Sequence, residues 1–129
     1  MEITGVTIYL AVATGGALGA VGRYVVISRT GALLGTKFPF GTLVVNVAGS
    51  FLLGAVVALA ATTGTANDWL AFLGVGVLGG FTTFSTFAPD VAFLAGRRAV
   101  RAASLYIAVS VVFSIAAFAA GLYLARALV

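Results

Sequence analysis

The 129-residue sequence contains no cysteine and no histidine. Disulfides, thiolate chemistry, imidazole metal sites and histidine proton relays are therefore excluded. The only acidic residues are Glu2, Asp68 and Asp90, and the first two fall at predicted helix ends. The chain thus lacks a pair of carboxylates for acid–base catalysis, and we expect that the protein is not an enzyme.

Charge of either sign is scarce, since 8% of the residues are charged and the formal net charge is +4. The basic residues are scattered through segments that border apolar stretches, which argues against nucleic-acid binding. A preference of loops for one side of a membrane explains their distribution better.

Hydrophobic residues make up 62% of the chain, and the mean hydropathy is +1.21. Four uncharged runs each reach the roughly 20 residues that a helix needs to cross the hydrocarbon core. These runs are Ile3–Gly22, Gly41–Asn67, Trp69–Ala88 and Ala102–Ala125. The sequence therefore predicts an all-α, multi-pass protein of the plasma membrane with four transmembrane helices.

The connections between these runs are short, so we predict a single domain over residues 1–129 with antiparallel neighbouring helices. The predicted connections are Ser28–Phe40, Gly64–Asp68 and Gly96–Arg101. The first run has no basic region ahead of it and no small-residue cleavage site. We therefore expect it to be a transmembrane helix and not a signal peptide.

Glycines recur at a spacing of four residues, as Gly15 and Gly19 in the first run and as Gly76 and Gly80 in the third. Small-residue faces of this kind let helix backbones approach closely in lipid. Four short helices are few for enclosing a pore, so we also expect a dimer.

The segment from Gly79 to Phe87 has the wrong composition for a lipid-facing helix, because it combines two glycines, three phenylalanines and four hydroxyl side chains. Gly79 and Gly80 weaken a helix, and Pro89 cannot donate a hydrogen bond to the preceding turn. We predict a break in the third helix between about Gly79 and Thr83. Unwound backbone at this depth must be buried in protein, and its carbonyls would suit a small hard cation such as Na⁺.

Polar side chains share faces on two other predicted helices, Thr42 with Asn46 and Tyr106 with Ser110. Serine and threonine can bond to carbonyls of their own helix. The Asn46 amide cannot be satisfied fully in that way, and it needs another helix, water or an ion.

Phe84 and Phe87 lie three residues apart, on one helical face, where packing is the usual role of phenylalanine. Ring edges carry the positive part of the aromatic quadrupole, so with amide and hydroxyl donors they would offer weak positive charge to an anion. Several weak sites allow rapid passage. Arg23, at the end of the first helix, could raise the anion concentration at a vestibule or simply snorkel to the interface. These residues predict an anion pathway.

Three motifs occur in order along the chain. They are Gly15-Gly16-Ala17-Leu18-Gly19-Ala20 followed by Arg23-Tyr24, Gly41-Thr42-Leu43-Val44-Val45-Asn46 followed by Gly49, Phe51 and Gly54, and the segment from Gly79 to Phe87. In these motifs, and over nearly its whole length, the chain resembles the CrcB/Fluc family of fluoride channels. The resemblance implies passive export of fluoride from the cytoplasm, which reduces fluoride toxicity. It also implies an antiparallel dimer with two pores and a structural Na⁺ that is not transported.

The resemblance assigns roles to individual residues. Pore-lining positions match Asn46, Phe84, Phe87 and Ser110, and supporting or lining polar groups match Thr42, Ser85 and Tyr106. Gly79 and Thr82 match positions whose backbone carbonyls hold the Na⁺, and Arg23 matches the arginine of the first helix.

Two other classes of protein are alternatives to a channel. A small proton-coupled exporter of cationic compounds needs a titratable carboxylate at membrane depth. Only Asp90 comes near that depth, just after the end of the third run. A purely structural membrane subunit would explain the glycines but not Asn46, Phe84 and Phe87. The choice of fluoride over chloride depends on the resemblance alone.

Basic residues are distributed unequally between the two predicted sides of the membrane. One side carries Arg29, Lys37, Arg97, Arg98 and Arg101, and the other carries Arg126. The positive-inside rule then predicts both termini outside. We expect either an antiparallel homodimer, as the resemblance implies, or a heterodimer with an oppositely oriented homologous chain.

Overall fold

The computed structural model describes residues 5–63 and 68–129, and these residues form helices joined by short connections. Helix α1 spans Gly5–Leu34 and α2 spans Phe40–Thr63. Helical segment α3 begins with an α-helical turn at Asp68–Leu70, continues as π-helix over Ala71–Leu78 and ends with a turn at Gly79–Phe81. Helix α4 spans Phe87–Gly96 and α5 spans Val100–Leu128.

Three of these helices, α1, α2 and α5, are long and apolar enough to cross a membrane. The third uncharged run forms one shorter apolar helix, Ala71–Phe81, and a second short helix, Phe87–Gly96, begins where the run ends. The predicted connection from Ser28 to Phe40 was wrong, because α1 continues to Leu34. Nothing between Ser28 and Leu34 breaks a helix, and α1 at about 45 Å extends beyond a 30 Å hydrocarbon core. The second predicted connection, Gly64–Asp68, lies outside the described residues except for Asp68.

The helix ends follow from local chemistry. Gly35 has φ +82° and its N–H donates to Gly31 O at 2.9 Å, the left-handed termination that glycine favours. Pro39 precedes α2 and accepts a hydrogen bond from Leu43 N–H. At the end of α4, Arg98 N–H donates to Ala95 O and Ala99 N–H donates to Leu94 O. This paired termination places Arg98 in the left-handed region at φ 57°.

The helices pack mainly as two pairs, α1 with α3 and α2 with α5. The small-residue faces of α1 and α3 contact each other, since a Cβ added at Gly15 would lie 3.1 Å from Gly76 Cα. A Cβ at Gly80 would collide with Gly16 O. In the second pair, Gly54 lies against Phe118 O. Close backbone approach therefore holds both pairs together.

Replacing Gly54 by alanine is expected to destabilise the pairing of α2 with α5. The added methyl group would collide with the backbone carbonyl of Phe118, which cannot move without shifting the helix. Overpacking of this kind costs about 1–3 kcal/mol. Thermal unfolding in detergent should show a lowered midpoint for Gly54→Ala.

Gly96→Ala provides the matched control, because a Cβ added there meets nothing within 4 Å. This variant should unfold at the temperature of the parent protein. Equal midpoints for Gly54→Ala and Gly96→Ala would show that the close contact at Gly54 does not constrain the fold.

A group of deeply buried side chains lies near the end of α4 and the start of α5. Tyr106 is fully buried and forms a cluster with Leu94 and Ala103. Phe38, from the connection before α2, and Phe87, from the start of α4, pack against this cluster. The cluster fixes α4 against α5 and against the start of α2, and thereby positions the segment between α3 and α4.

Candidate functional site

Between α3 and α4 the chain leaves helical geometry for five residues, 82–86. Thr82 has φ −76° and ψ 158°, which is extended backbone. Its N–H and its Oγ1 both donate to Leu78 O, each at 2.9 Å. Residues 82–86 contain no proline. Hydrogen bonds made by Asn46 and by Thr83 stabilise their extended geometry.

Asn46 on α2 binds the backbone of Thr83 at two points. Its Nδ2 donates to Thr83 O at 2.9 Å, and Thr83 N–H donates to Asn46 Oδ1 at 2.7 Å. In a continuous α-helix the Thr83 N–H would donate to Gly79 O instead. The side chain of Asn46 therefore takes the place of one helical hydrogen bond and stabilises the extended segment. It finds the inter-helix partner that the sequence requires for its amide.

Thr83 itself is a residue that the sequence interpretation missed. It is buried, and its Oγ1 accepts the Thr86 N–H at 3.0 Å. The same hydroxyl donates to Thr86 Oγ1 at 3.1 Å and lies 3.2 Å from Ser85 Oγ. These bonds satisfy polar groups ahead of α4, much as a capping hydroxyl does. A threonine four residues before the start of α4 was the available signal.

A cavity of about 400 Å³ opens beside this segment, between α2 and α5. Its wall is formed by Asn46, Ser50, Leu53, Thr82, Thr83, Phe84, Phe87, Ser110, Val111, Ser114 and Ile115. None of these side chains carries a charge. The structure thus brings together all four residues that the resemblance assigned to pore lining.

Ser110 has a distinctive place in this wall. The residue is 5% exposed, and its Oγ has no hydrogen-bond partner within the described part of the chain. A buried hydroxyl left in this state costs about 1–3 kcal/mol. Ser50 is different, because its Oγ donates to Asn46 O at 2.6 Å. Ser110 is therefore a buried wall residue whose hydroxyl could serve a ligand.

The aromatic residues form a connected row that begins at the cavity. The ring centroids of Phe84 and Phe87 are 5.8 Å apart, and the Phe87 ring stacks on Tyr106 at 5.1 Å. Phe38 meets Tyr106 edge to face at 5.5 Å. Phe84, the ring at the cavity end of the row, is 76% exposed on the single chain.

The residues predicted to support the pore or to line a vestibule lie outside the cavity wall, whereas Thr82, a predicted Na⁺ position, is part of it. Thr42 and Tyr106 are buried, and the Tyr106 hydroxyl donates to Asp90 Oδ2 at 3.1 Å. Ser85 is exposed. Arg23 lies partly exposed on α1. The contact between Tyr106 and Asp90 was not predicted, because the two residues come from different helices.

The chain is similar in sequence to known proteins of one family. The sequence profile of CrcB-like proteins, described as camphor resistance, matches residues 10–122. A fluoride-specific ion channel FluC of Rhodospirillum centenum is 51% identical over 118 residues, which cover 91% of this chain and 94% of the relative. FluC 1 of Nitrobacter hamburgensis, also a fluoride-specific ion channel, is 47% identical over 95% of this chain and 98% of its own length.

A third relative, the fluoride-specific ion channel FluC of Agrobacterium fabrum, is 51% identical over 89% of this chain and 93% of its own length. The similarity therefore extends across nearly the whole of each protein and is not confined to one motif. Together with three membrane-length apolar helices, it identifies a multi-pass membrane protein. The resemblance drawn from the motifs is confirmed, and the chain belongs to the CrcB-like family.

Proposed function

We propose that this protein is a fluoride-specific ion channel of the plasma membrane that exports fluoride passively from the cytoplasm and so reduces its toxicity. The observation that carries the proposal is an uncharged cavity whose wall combines an unpartnered hydroxyl, an oriented amide and two phenylalanine rings. Donors and ring edges without a fixed cation stabilise a small anion weakly enough for it to leave. An ion channel is not an enzyme, which agrees with the expectation from the sequence.

The orientation of the Asn46 amide supports an anion site. The Thr83 backbone presents one acceptor and one donor, so Oδ1 must face the N–H and Nδ2 must face the carbonyl. An amide nitrogen has two N–H groups. The second N–H of Nδ2 does not bind Thr83 O and is a donor for fluoride. The amide oxygen, which would repel an anion, is turned to the Thr83 N–H.

Fluoride would then move along groups that each replace part of its water shell. Ser110 supplies an O–H, Asn46 supplies an N–H, and Phe84 and Phe87 supply ring edges. Thr42, Ser85 and Tyr106 lie next to these groups in sequence or in space and support them or extend the path. Arg23 would raise the fluoride concentration at a vestibule.

A proton-coupled exporter of cations is not favoured by the cavity. No carboxylate lines it, and the carboxylate of Asp90 accepts a hydrogen bond from Tyr106. Transport of protons would need a titratable group on the path. The relatives are moreover channels by name.

We further propose that α3 and α4 together make the fourth membrane crossing. At 1.5 Å per residue α3 is about 21 Å long and α4 about 15 Å, so neither crosses a 30 Å core alone, whereas both together do. Exposed residues near the break, among them Val75, Gly79 and Phe84, would be covered by a second chain. An antiparallel dimer, with itself or with an oppositely oriented homologue, would provide that cover.

The same break is our proposed site for a structural Na⁺ that is not transported. The described residues contain no group of three or more acidic, histidine or cysteine side chains that could hold a metal, so a cation there would depend on backbone oxygens. Gly79 O loses the Thr83 N–H as its helical partner, and Thr82 is extended. Their carbonyls from two chains would meet the preference of Na⁺ for oxygen ligands.

Removal of Na⁺ is expected to lower dimer stability, because the carbonyls would lose their cation. Dimer content should be measured by size exclusion with light scattering after exchange into N-methyl-D-glucamine chloride. Return of Na⁺ should restore the dimer, and K⁺, which is larger, should do so less well. An unchanged dimer after thorough removal would eliminate this site.

The orientation of the chain is testable separately. Reporters active only inside or only outside the cell, fused to the C-terminus, are expected to give mostly an outside signal, because five of the six basic residues near the helix ends lie on the opposite side. Equal signals would contradict the predicted bias. An outside signal without fluoride transport would indicate an obligatory second chain.

The proposed function is tested most simply in cells. A bacterial strain without its own fluoride exporter should grow in fluoride when it produces this chain and should fail to grow when it produces an Asn46→Leu variant. Immunoblotting of membranes should verify that both proteins are present at equal levels. If both strains remain equally sensitive although the parent protein is in the membrane, fluoride export by this chain alone is refuted.

A further inference from the structure

Five basic side chains lie at one end of the helices, and all five are exposed. They come from the end of α1, the connection before α2, the turn after α4 and the start of α5. We call these residues the basic end: Arg29, Lys37, Arg97, Arg98 and Arg101. The proposed anion pathway makes no use of them.

The packing of neighbouring residues holds part of this basic end together. Phe38, Ala99 and Ala102 all pack against the buried cluster around Tyr106. Each of these three residues is adjacent in sequence to a basic residue, namely Lys37, Arg98 and Arg101. Segments that are 60 residues or more apart in the chain therefore place their positive charges at one site.

Acidic groups do not neutralise this charge. The whole chain has three acidic residues against seven basic ones, and Asp90 Oδ2 already accepts a hydrogen bond from the Tyr106 hydroxyl. Three carboxylates at most cannot balance five cations. The basic end thus presents an excess of positive charge to its surroundings.

Two of the arginines are held by the fold. Arg98 occupies the left-handed turn that ends α4, a conformation in which glycine is usual. The guanidinium of Arg97 lies 5.2 Å from the centroid of the Phe93 ring, and Phe93 is 56% exposed. Arginine held against a ring loses less freedom on binding, and its planar fork matches a phosphate.

We propose that the basic end binds the phosphate groups of anionic phospholipids. The site lies where membrane-length helices α1, α2 and α5 begin or end, which is the level of the lipid headgroups. Basic residues near that level are attracted to anionic lipid by about 1 kcal/mol each. Adjacent Arg97 and Arg98 are the centre of the site, and the exposed Phe93 ring faces the upper acyl region.

Native mass spectrometry of the full chain in detergent tests this proposal without reference to fluoride transport. Phosphatidylglycerol and phosphatidylcholine with the same acyl chains are titrated separately, and the bound lipid is counted. The parent protein is expected to retain phosphatidylglycerol at least fivefold more tightly. Arg97→Gln with Arg98→Gln should weaken that binding by about fivefold for each arginine removed. Arg126→Gln, at the opposite end, is the matched control and should bind as the parent does.

Equal retention of the two lipids by the parent protein would overturn the proposal. An equal loss of phosphatidylglycerol binding in the double variant and in Arg126→Gln would overturn it as well. Displacement of phosphatidylglycerol by millimolar inorganic phosphate would show a site for free phosphate and would overturn the lipid assignment. If the double variant does not fold, added salt decides the matter. Screening should then weaken phosphatidylglycerol binding to the parent protein, and salt-independent retention would contradict an electrostatic site.

Discussion

Replacing Asn46 by leucine is expected to abolish fluoride conduction. The change removes the N–H proposed to contact the anion, and a hydrogen bond to a charged group is worth about 1.5–3 kcal/mol, so the loss of this bond alone should lower flux roughly tenfold to a hundredfold. It also leaves the Thr83 N–H and carbonyl without their partners. From the sequence alone we expect little loss of assembly, whereas the structure adds a loss of stability, because Asn46 holds the segment between α3 and α4.

Asn46→Asp separates these two roles. An aspartate oxygen can still accept the Thr83 N–H, so the extended segment should persist better than in the leucine variant. The carboxylate has no donor when ionised and would repel fluoride. We therefore expect a folded protein that does not conduct, as measured by fluoride efflux from liposomes and by thermal unfolding.

Thr14→Leu is the matched control for Asn46→Leu, since Thr14 is exposed on α1 and its hydroxyl donates to Leu10 O of the same helix. This variant should conduct as the parent protein does. Sustained fluoride flux through Asn46→Asp would refute donation from Asn46 to the anion.

Loss of either cavity phenylalanine is expected to reduce fluoride flux, because each ring edge replaces part of the water shell of the anion. The two variants should differ in stability. Phe84 is 76% exposed on the single chain, so Phe84→Ala should affect monomer folding little. Phe87 stacks on the buried Tyr106, so Phe87→Ala should also leave a cavity and lower the unfolding temperature.

Leucine at the same positions distinguishes ring chemistry from volume. Phe84→Leu and Phe87→Leu keep most of the bulk but have no ring edge, and we expect their flux to stay low. Phe113→Ala is the control, because Phe113 is exposed on α5 and lines a separate apolar groove. Parent-like flux in both leucine variants would show that the rings act only by filling space.

The long helices could be predicted from the sequence because uncharged runs need no knowledge of tertiary contacts. The end of α1 could not be predicted, since the largely exposed residues 29–34 are compatible with either a helix or a loop. The left-handed Gly35 fixes the end. The π-helical geometry of Ala71–Leu78 was also missed, because it is set by packing against α1 and not by a residue type.

The residue types of the site could be predicted from the sequence, but their hydrogen-bond partners could not. Asn46 stood out because a single helix cannot satisfy its amide. Its partner Thr83 is 37 residues away in the chain, and no spacing rule connects the two. The unpartnered hydroxyl of Ser110 is likewise a property of packing, since serine in a helix usually bonds to its own backbone.

The most direct measurement of the central claim is anion efflux from liposomes that contain only this chain. Vesicles are loaded with fluoride or with chloride at equal concentration, and release is followed with ion-selective electrodes after valinomycin permits K⁺ to carry the balancing charge. We predict rapid release of fluoride and release of chloride no faster than from protein-free liposomes. Equal release of the two anions, or fluoride release at the protein-free rate, would contradict the conclusion that this chain forms a fluoride-selective channel.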